Sequence, residues 1–235
     1  MRLDECQFTL ILRRIGSYAS NFDLIRFTIP ATLYSQTSPV IKESTMQTNI
    51  LWTGREYYSL ENCLVKDSEH GSQITSTIVG SYEEKIYNVT YRIETNQSWE
   101  TTFVKIYCQH NNYTQLIELE SEGNGNWLVN NVKSELLKGC LDVDIPLTPF
   151  TNTLPIRRLN LSPSRSQEIK VIYCDLLKQE IKPVWQRYTC LSSSEYHYEN
   201  VPNDFEATIL VDESGLVIDY PSLFVRTKAL KSNYQ

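Results

Sequence analysis

Tyr87-Asn88-Val89-Thr90-Tyr91-Arg92-Ile93-Glu94 decides the class of fold. Its odd positions are aromatic or aliphatic and its even positions are polar, so side chains of one kind project to one side every second residue. That period of two is the mark of a strand with one dry and one wet face. The same alternation continues outward. Trp99 to Cys108 puts Val104, Ile106 and Cys108 on one face and Lys105 on the other; Ile169, Val171 and Tyr173 repeat it, as do Phe205, Ala207, Ile209 and Val211. Between the runs stand turn-forming groups: His70-Gly71, Gly80-Ser81, Gly123-Asn124-Gly125-Asn126 and Asp212-Glu213-Ser214-Gly215. One segment, Asn131 to Lys138, reads as helical, with Val132, Leu136 and Leu137 on one side and Gly139 as its stop. Tyr87–Phe103 and Phe205–Tyr220 also resemble each other as hairpins, which suits a barrel of two similar halves. The expectation is all-β: a single antiparallel β-barrel or half-barrel with at most one or two short helices.

Residues 1–48 lack this alternation and carry a polar stretch, Ser35-Gln36-Thr37-Ser38-Pro39, before the first strong strand. They are expected to form an N-terminal extension, weakly structured or helical, ahead of a β domain over 49–235. Across the 235 residues, 28 acidic against 22 basic side chains give a net charge of −6, which opposes binding to nucleic acid or to anionic membrane surfaces. No apolar run is long enough for a transmembrane segment. The six cysteines include no pair within four residues, so neither a redox nor a zinc spacing is present. Asp4 and Glu5 stand where a secretory leader needs basic residues, so reduced cysteines and a cytoplasmic location are expected. The 15 tyrosines exceed the 7 phenylalanines and 4 tryptophans together. A tyrosine joins an apolar ring to a wetted hydroxyl and suits a partly dry surface or cavity.

Phosphate-loop, nucleophile-elbow and zinc-protease motifs are missing, and His70, His110 and His197 are too scattered to suggest a metal triad. Three segments could carry chemistry. Gly139-Cys140-Leu141-Asp142-Val143-Asp144 places two carboxylates about 6.6 Å apart on one strand face. They could serve as a hydrolase's acid and base, hold a divalent metal, or form a structural ion-pair network with Arg158 or Arg157. Leu147 to Ile156 contains Pro149 and Pro155 and follows Pro146, so it reads as a stiff, apolar excursion that forms neither a central strand nor a helix. In Pro183-Val184-Trp185-Gln186-Arg187-Tyr188-Thr189, Trp185 and Arg187 share one face and Gln186 and Tyr188 the other. Turned inward, the first face would offer an indole wall and a planar cation; turned outward, it is a surface stack.

The block Gly139–Asp144, followed by Thr148-Pro149-Phe150-Thr151-Asn152-Thr153-Leu154-Pro155-Ile156-Arg157-Arg158-Leu159, resembles the signature of the bacterial putative glycolipid-binding family. Gln186-Arg187-Tyr188 and Gly215-Leu216-Val217-Ile218-Asp219-Tyr220-Pro221 follow in the family's order, and the likeness runs from Leu51 to Arg226. It implies one antiparallel β-barrel or half-barrel around an apolar cavity, similar in shape to lipoprotein-localisation carriers, and brings no catalytic residues. The expected function is non-enzymatic: binding or carriage of an amphiphile, a glycolipid or acyl lipid, without cofactor or metal. Arg157, Trp185, Arg187 and Tyr220 are candidates for its polar end, Phe150 and Leu154 for a lid, and Tyr91 and Tyr173 for further cavity walls. Asp142, Asp144 and Arg158 are the candidate ion-pair network. A hydrolase using Asp142 and Asp144 and a protein-interaction module are the alternatives.

Overall fold

A computed structural model describes residues 45–234. The chain runs β1 (Thr45–Gly54), β2 (Ser59–Ser68), β3 (Gly71–Tyr82), β4 (Lys85–Thr95), β5 (Thr101–His110), β6 (Tyr113–Gly123), β7 (Asn126–Val129) and β8 (Val132–Ser134). A central segment follows, with β9 (Asp142–Asp144), a 3-10 turn (Phe150–Asn152) and helix α1 (Thr153–Leu159). Then come β10 (Ser166–Asp175), β11 (Glu180–Ser192), β12 (Glu195–Val201), β13 (Glu206–Val211), β14 (Val217–Tyr220) and β15 (Phe224–Tyr234). All 15 strands belong to one sheet, in the order β8-β7-β6-β5-β4-β3-β2-β1-β15-β14-β13-β12-β11-β10-β9. Two antiparallel meanders are therefore zipped together where the first strand pairs with the last, Thr45 opposite Tyr234 through Gly54 opposite Phe224. Only β9 is parallel to its neighbour, β10. The sheet is not closed: β8 and β9 are its edges. The described residues form an all-β half-barrel with one short α-helix.

The central segment shows that the sheet curls. Thr148 bonds Glu61 on β2, while Asn152 accepts a bond from Tyr188 on β11. Six strand spacings separate β2 from β11, about 29 Å in a flat sheet. Four residues of chain reach at most about 14 Å, so the sheet must wrap around this segment. Alternation decides which side faces inward. On β4, Tyr87, Val89, Tyr91 and Ile93 are buried and Asn88, Thr90 and Arg92 are exposed, as the opening stretch predicts. On β5, Val104, Ile106 and Cys108 are fully buried. Removing such a side chain from water is worth about 1.5–3 kcal/mol. The concave side is filled largely by the chain's own residues: Phe150 and Leu154 have no exposed surface and belong to the main core. The five described cysteines, Cys63, Cys108, Cys140, Cys174 and Cys190, are buried and unpaired; Cys6 lies outside the described residues.

Several local expectations are corrected. Asn131–Lys138 is not a helix: β7 and β8 form a hairpin turning on Asn130 and Asn131, both at positive φ (48° and 65°). That is the backbone a tight two-residue hairpin turn requires, and asparagine tolerates it. Gly80-Ser81 is not a turn but lies inside β3. Gly80 is needed because a Cβ there would stand 2.6 Å from Tyr87 Cζ and 2.7 Å from Ser59 Cβ. A helix forms instead at Thr153–Leu159, across Pro155. Proline is harmless in a first helical turn, where its missing N–H had no partner to lose. The first strand begins at Thr45, so it takes the last four residues of the predicted extension; the remainder of that extension lies outside the described residues.

Candidate functional site

Chain punctuation brings a set of aromatic side chains to one end of the half-barrel. The turn after Gly54 carries Tyr57, which stacks on Phe224 at the start of β15, with ring centroids 5.8 Å apart and planes 22° apart. Tyr220, the last residue of β14, sits 6.4 Å from Phe224 and 6.2 Å from Tyr198 of β12. Tyr173 of β10 and Phe205, ahead of β13, extend the wall around a cleft of about 200 Å³. The central segment forms its other side through Asp144, Pro146, Thr148 and Asn152. Burial, the dominant influence, raises the hydroxyl pKa of Tyr57, Tyr173, Tyr198 and Tyr220, so all four rings stay neutral.

Two carboxyl groups stand at and behind this cleft, the first half-buried and the second fully buried. Asp144 lines it and accepts hydrogen bonds from Gln186 Nε2 (2.6 Å) and the Thr151 hydroxyl (3.2 Å). Burial raises its pKa against the pull of those donors. Glu61 lies one residue further in, behind Thr148. Its Oε1 accepts from Ser76 (2.7 Å), Tyr91 (2.7 Å) and Thr148 (2.9 Å), while Oε2 is buried without a partner. Desolvation pushes this carboxyl up to about 7, despite the three hydroxyl donors.

The sequence candidates separate into three groups. Tyr220 and Tyr173 line the cleft, together with Asp144. Phe150, Leu154 and Tyr91 are core residues: the first two form no lid, and Tyr91 is spent on Glu61. Trp185, half exposed at 50%, and Arg187 point away from the concave side, where Gln186 and Tyr188 of the same strand are buried. Arg187 is engaged on the outer face by Glu168 and by Glu199. Arg157 is likewise absent from the cleft: its guanidinium lies 4.0 Å over the Trp99 ring and donates to the Ser214 carbonyl. Arg158 grips Asp142 in a two-pronged pair, Nε to Oδ1 at 3.0 Å and Nη2 to Oδ2 at 2.6 Å. Asp144 has no arginine partner among the described residues, so the expected three-membered ion-pair network reduces to the Asp142–Arg158 pair. Asp142 and Asp144 also do not meet in one open space: Asp142 is fully buried under Arg158 and only Asp144 reaches the cleft.

Sequence reading missed Glu61, Tyr57, Tyr198 and Phe224. A signal for Glu61 exists in Ser59-Leu60-Glu61-Asn62-Cys63-Leu64-Val65: the charge shares its parity with Cys63 and Val65, so it must face the core with them. One group among the described residues could approach a metal ion, His197, Glu199 and Glu206 on the outer face. Its Glu199 is already shared with Arg187. A second groove of about 720 Å³, bordered by Glu100, Ser121, Asn124 and Gly139, holds none of the sequence candidates.

Residues 49–226 match the model of the family described as "Putative glycolipid-binding". The chain belongs to this family. A solved structure of similar sequence, a DUF1089 family protein from Pseudomonas aeruginosa, shares 34% identity over 71% of this chain and 91% of its own, with a TM-score of 0.65. A β-barrel-like protein of DUF1849 from Brucella abortus aligns at 9% identity over 82% of this chain and 98% of its own, with a TM-score of 0.41. No functionally curated protein matches the chain. The glycolipid-binding family match spans every element that builds the cleft, from the β1–β2 turn to Phe224. Among the described residues no helix is long and apolar enough to cross a membrane.

Proposed function

We propose that this chain is a non-enzymatic binding or carrier protein for an amphiphilic small molecule, and that one end of the ligand sits in the aromatic cleft. The observation that carries this reading is the convergence of Tyr57, Tyr173, Tyr198, Tyr220 and Phe224 on a single cleft beside the half-buried Asp144 carboxyl. Amphipathic rings tolerate both a polar head and the first methylenes of a tail. At about 200 Å³ the cleft is smaller than the roughly 300–1,000 Å³ that encloses a whole drug-sized ligand. The remainder of the amphiphile therefore runs out over the rim, where Phe205 and Leu223 are partly exposed. Membership of the glycolipid-binding family supports an amphiphile as the occupant. The five unpaired, buried cysteines support a reducing, cytoplasmic setting, and the Pseudomonas relative a bacterial one.

Native mass spectrometry of gently purified protein, with organic extraction of whatever dissociates, tests the reading. A co-purified lipid, or binding from a panel of amphiphiles that is weakened by Tyr220→Ala, is the expected result. Failure of every amphiphile in the panel to bind above background would overturn it.

A further inference from the structure

The charge at the cleft is of one sign. Its lining contains two carboxylates, Asp144 and Glu56, and no lysine or arginine. The charged groups with the largest influence on its four tyrosines are Glu56, Asp144, Asp175, Glu180 and Asp204, every one an acid. The nearby cations are already taken. Lys182 lies 5.9 Å from the centre of the Tyr173 ring and is bound to Glu180 at 2.7 Å, and Arg55 is paired with Asp219 at 2.9 Å. An anionic head group would enter a desolvated, negative site with no counter-charge, which is costly. Aromatic faces, by contrast, carry negative potential, and a cation within about 6 Å of several rings gains from each.

The rings form a continuous wall. Tyr57, Phe224, Tyr220 and Tyr198 succeed one another at centroid separations of 5.8, 6.4 and 6.2 Å, and successive planes turn by 22°, 54° and 68°. All four line the same cleft. Asp144 closes that space from the central segment, with Gln186 and Thr151 fixing its orientation.

We infer that the cleft is a cation site: it takes the ammonium head, quaternary or primary, of an amphiphile, with Asp144 as counter-ion and Tyr57, Tyr198, Tyr220 and Phe224 as its aromatic cage. The inference rests on the amphiphile reading above and names the head group that reading leaves open. It also accounts for the placement of Arg157 and Arg187 away from the cleft, since either guanidinium would compete for the same carboxylate.

Calorimetric titration of the full chain with four probes, each below its micelle concentration, tests this. They are octyltrimethylammonium, octyl glucoside, octanoate and tetramethylammonium. The octyl cation is expected to bind about tenfold or more tighter than the glucoside, and octanoate weakest, which is the factor that one or two good cation–ring contacts supply. Asp144→Asn should reduce that preference by about tenfold while leaving glucoside affinity nearly unchanged. Because Asp144 is also bonded to Gln186 and Thr151, Tyr220→Leu serves as a second variant: it keeps apolar contact, removes a ring face, and should weaken the cation more than the glucoside. Tetramethylammonium that displaces the octyl cation places the head in the cleft. If it binds as tightly as the octyl cation, the cation site stands but its occupant is a free ammonium compound, not an amphiphile. Tightest binding by the glucoside or octanoate overturns the cation site and leaves the amphiphile reading intact. Binding of no probe overturns both.

Discussion

Glu61 makes the stability of this protein depend on pH in a direction opposite to that of most acids. Its carboxyl is fully buried and Oε2 has no partner, so desolvation outweighs the three hydroxyl groups that donate to Oε1 and the site favours a proton on the group. Burial raises it from 4.5 to about 7. A group whose folded pKa exceeds its unfolded value binds protons more tightly when native. Its contribution is therefore fully present below the unfolded value of 4.5 and is lost as pH rises through about 7. At about 1.4 kcal/mol per tenfold change in proton affinity, the span from 4.5 to about 7 is worth about 3 kcal/mol. Glu61→Gln removes the titration while keeping an acceptor for Ser76, Tyr91 and Thr148. Denaturant unfolding followed by tryptophan fluorescence, at intervals from about pH 4 to about pH 8.5, should give a variant that gains about 3 kcal/mol relative to the wild type across that range. Asp142 and Asp144 titrate in both proteins, so the difference between the two curves isolates Glu61. Parallel curves, with a difference constant to about 0.5 kcal/mol, would refute the argument that desolvation keeps this group protonated.

Other expectations are briefer. Asp142→Asn leaves the Arg158 guanidinium buried against a neutral amide, and thermal or denaturant unfolding should register a loss of about 3–5 kcal/mol; an unchanged midpoint would remove the pair from the structural account. Gly80→Ala forces a methyl against the buried Tyr87 ring and should cost about 1–3 kcal/mol by the same measurement, whereas alanine at an ordinary strand position would stabilise. Trp185→Ala and Arg187→Ala alter the outer face and should leave affinity for any ligand of the cleft unchanged in calorimetry, while Phe224→Ala should weaken it severalfold. In a Cys6→Ser background the five buried thiols should resist a thiol-reactive dye until denaturant is added, and prompt labelling of the native protein would contradict their burial.

How far the sequence could be read follows from the range of the forces involved. Alternation in Tyr87–Glu94 is a local property of a pleated backbone, so the buried face of β4 and the all-β class were legible from eight residues. The same local rule correctly paired Trp185 with Arg187 and Gln186 with Tyr188, but the pleat treats its two faces alike. Which face is concave depends on the wrap of the sheet around Thr148–Asn152, and that placed Gln186 and Tyr188 inside. The helical reading of Asn131–Lys138 failed because the spacing of Val132, Leu136 and Leu137 outvoted a two-asparagine turn that the backbone obeys. The prolines of the central segment were read as a bar to helix, although Pro155 occupies a first turn where it has no bond to lose.

By itself, then, the sequence determined the strand periodicity, most of the turns, the all-β class and, through the block from Gly139 to Leu159, the family. The tertiary structure alone decided that this block is a plug rather than a lid, and that Asp142 is held by Arg158 while Asp144 opens to a cleft. It alone brought Tyr57, Tyr173, Tyr198, Tyr220 and Phe224 together from five separate segments of the chain. The physical reason is that face and turn are set by neighbours along the chain, whereas a cleft is set by closure between distant strands. That closure leaves no local periodicity to read.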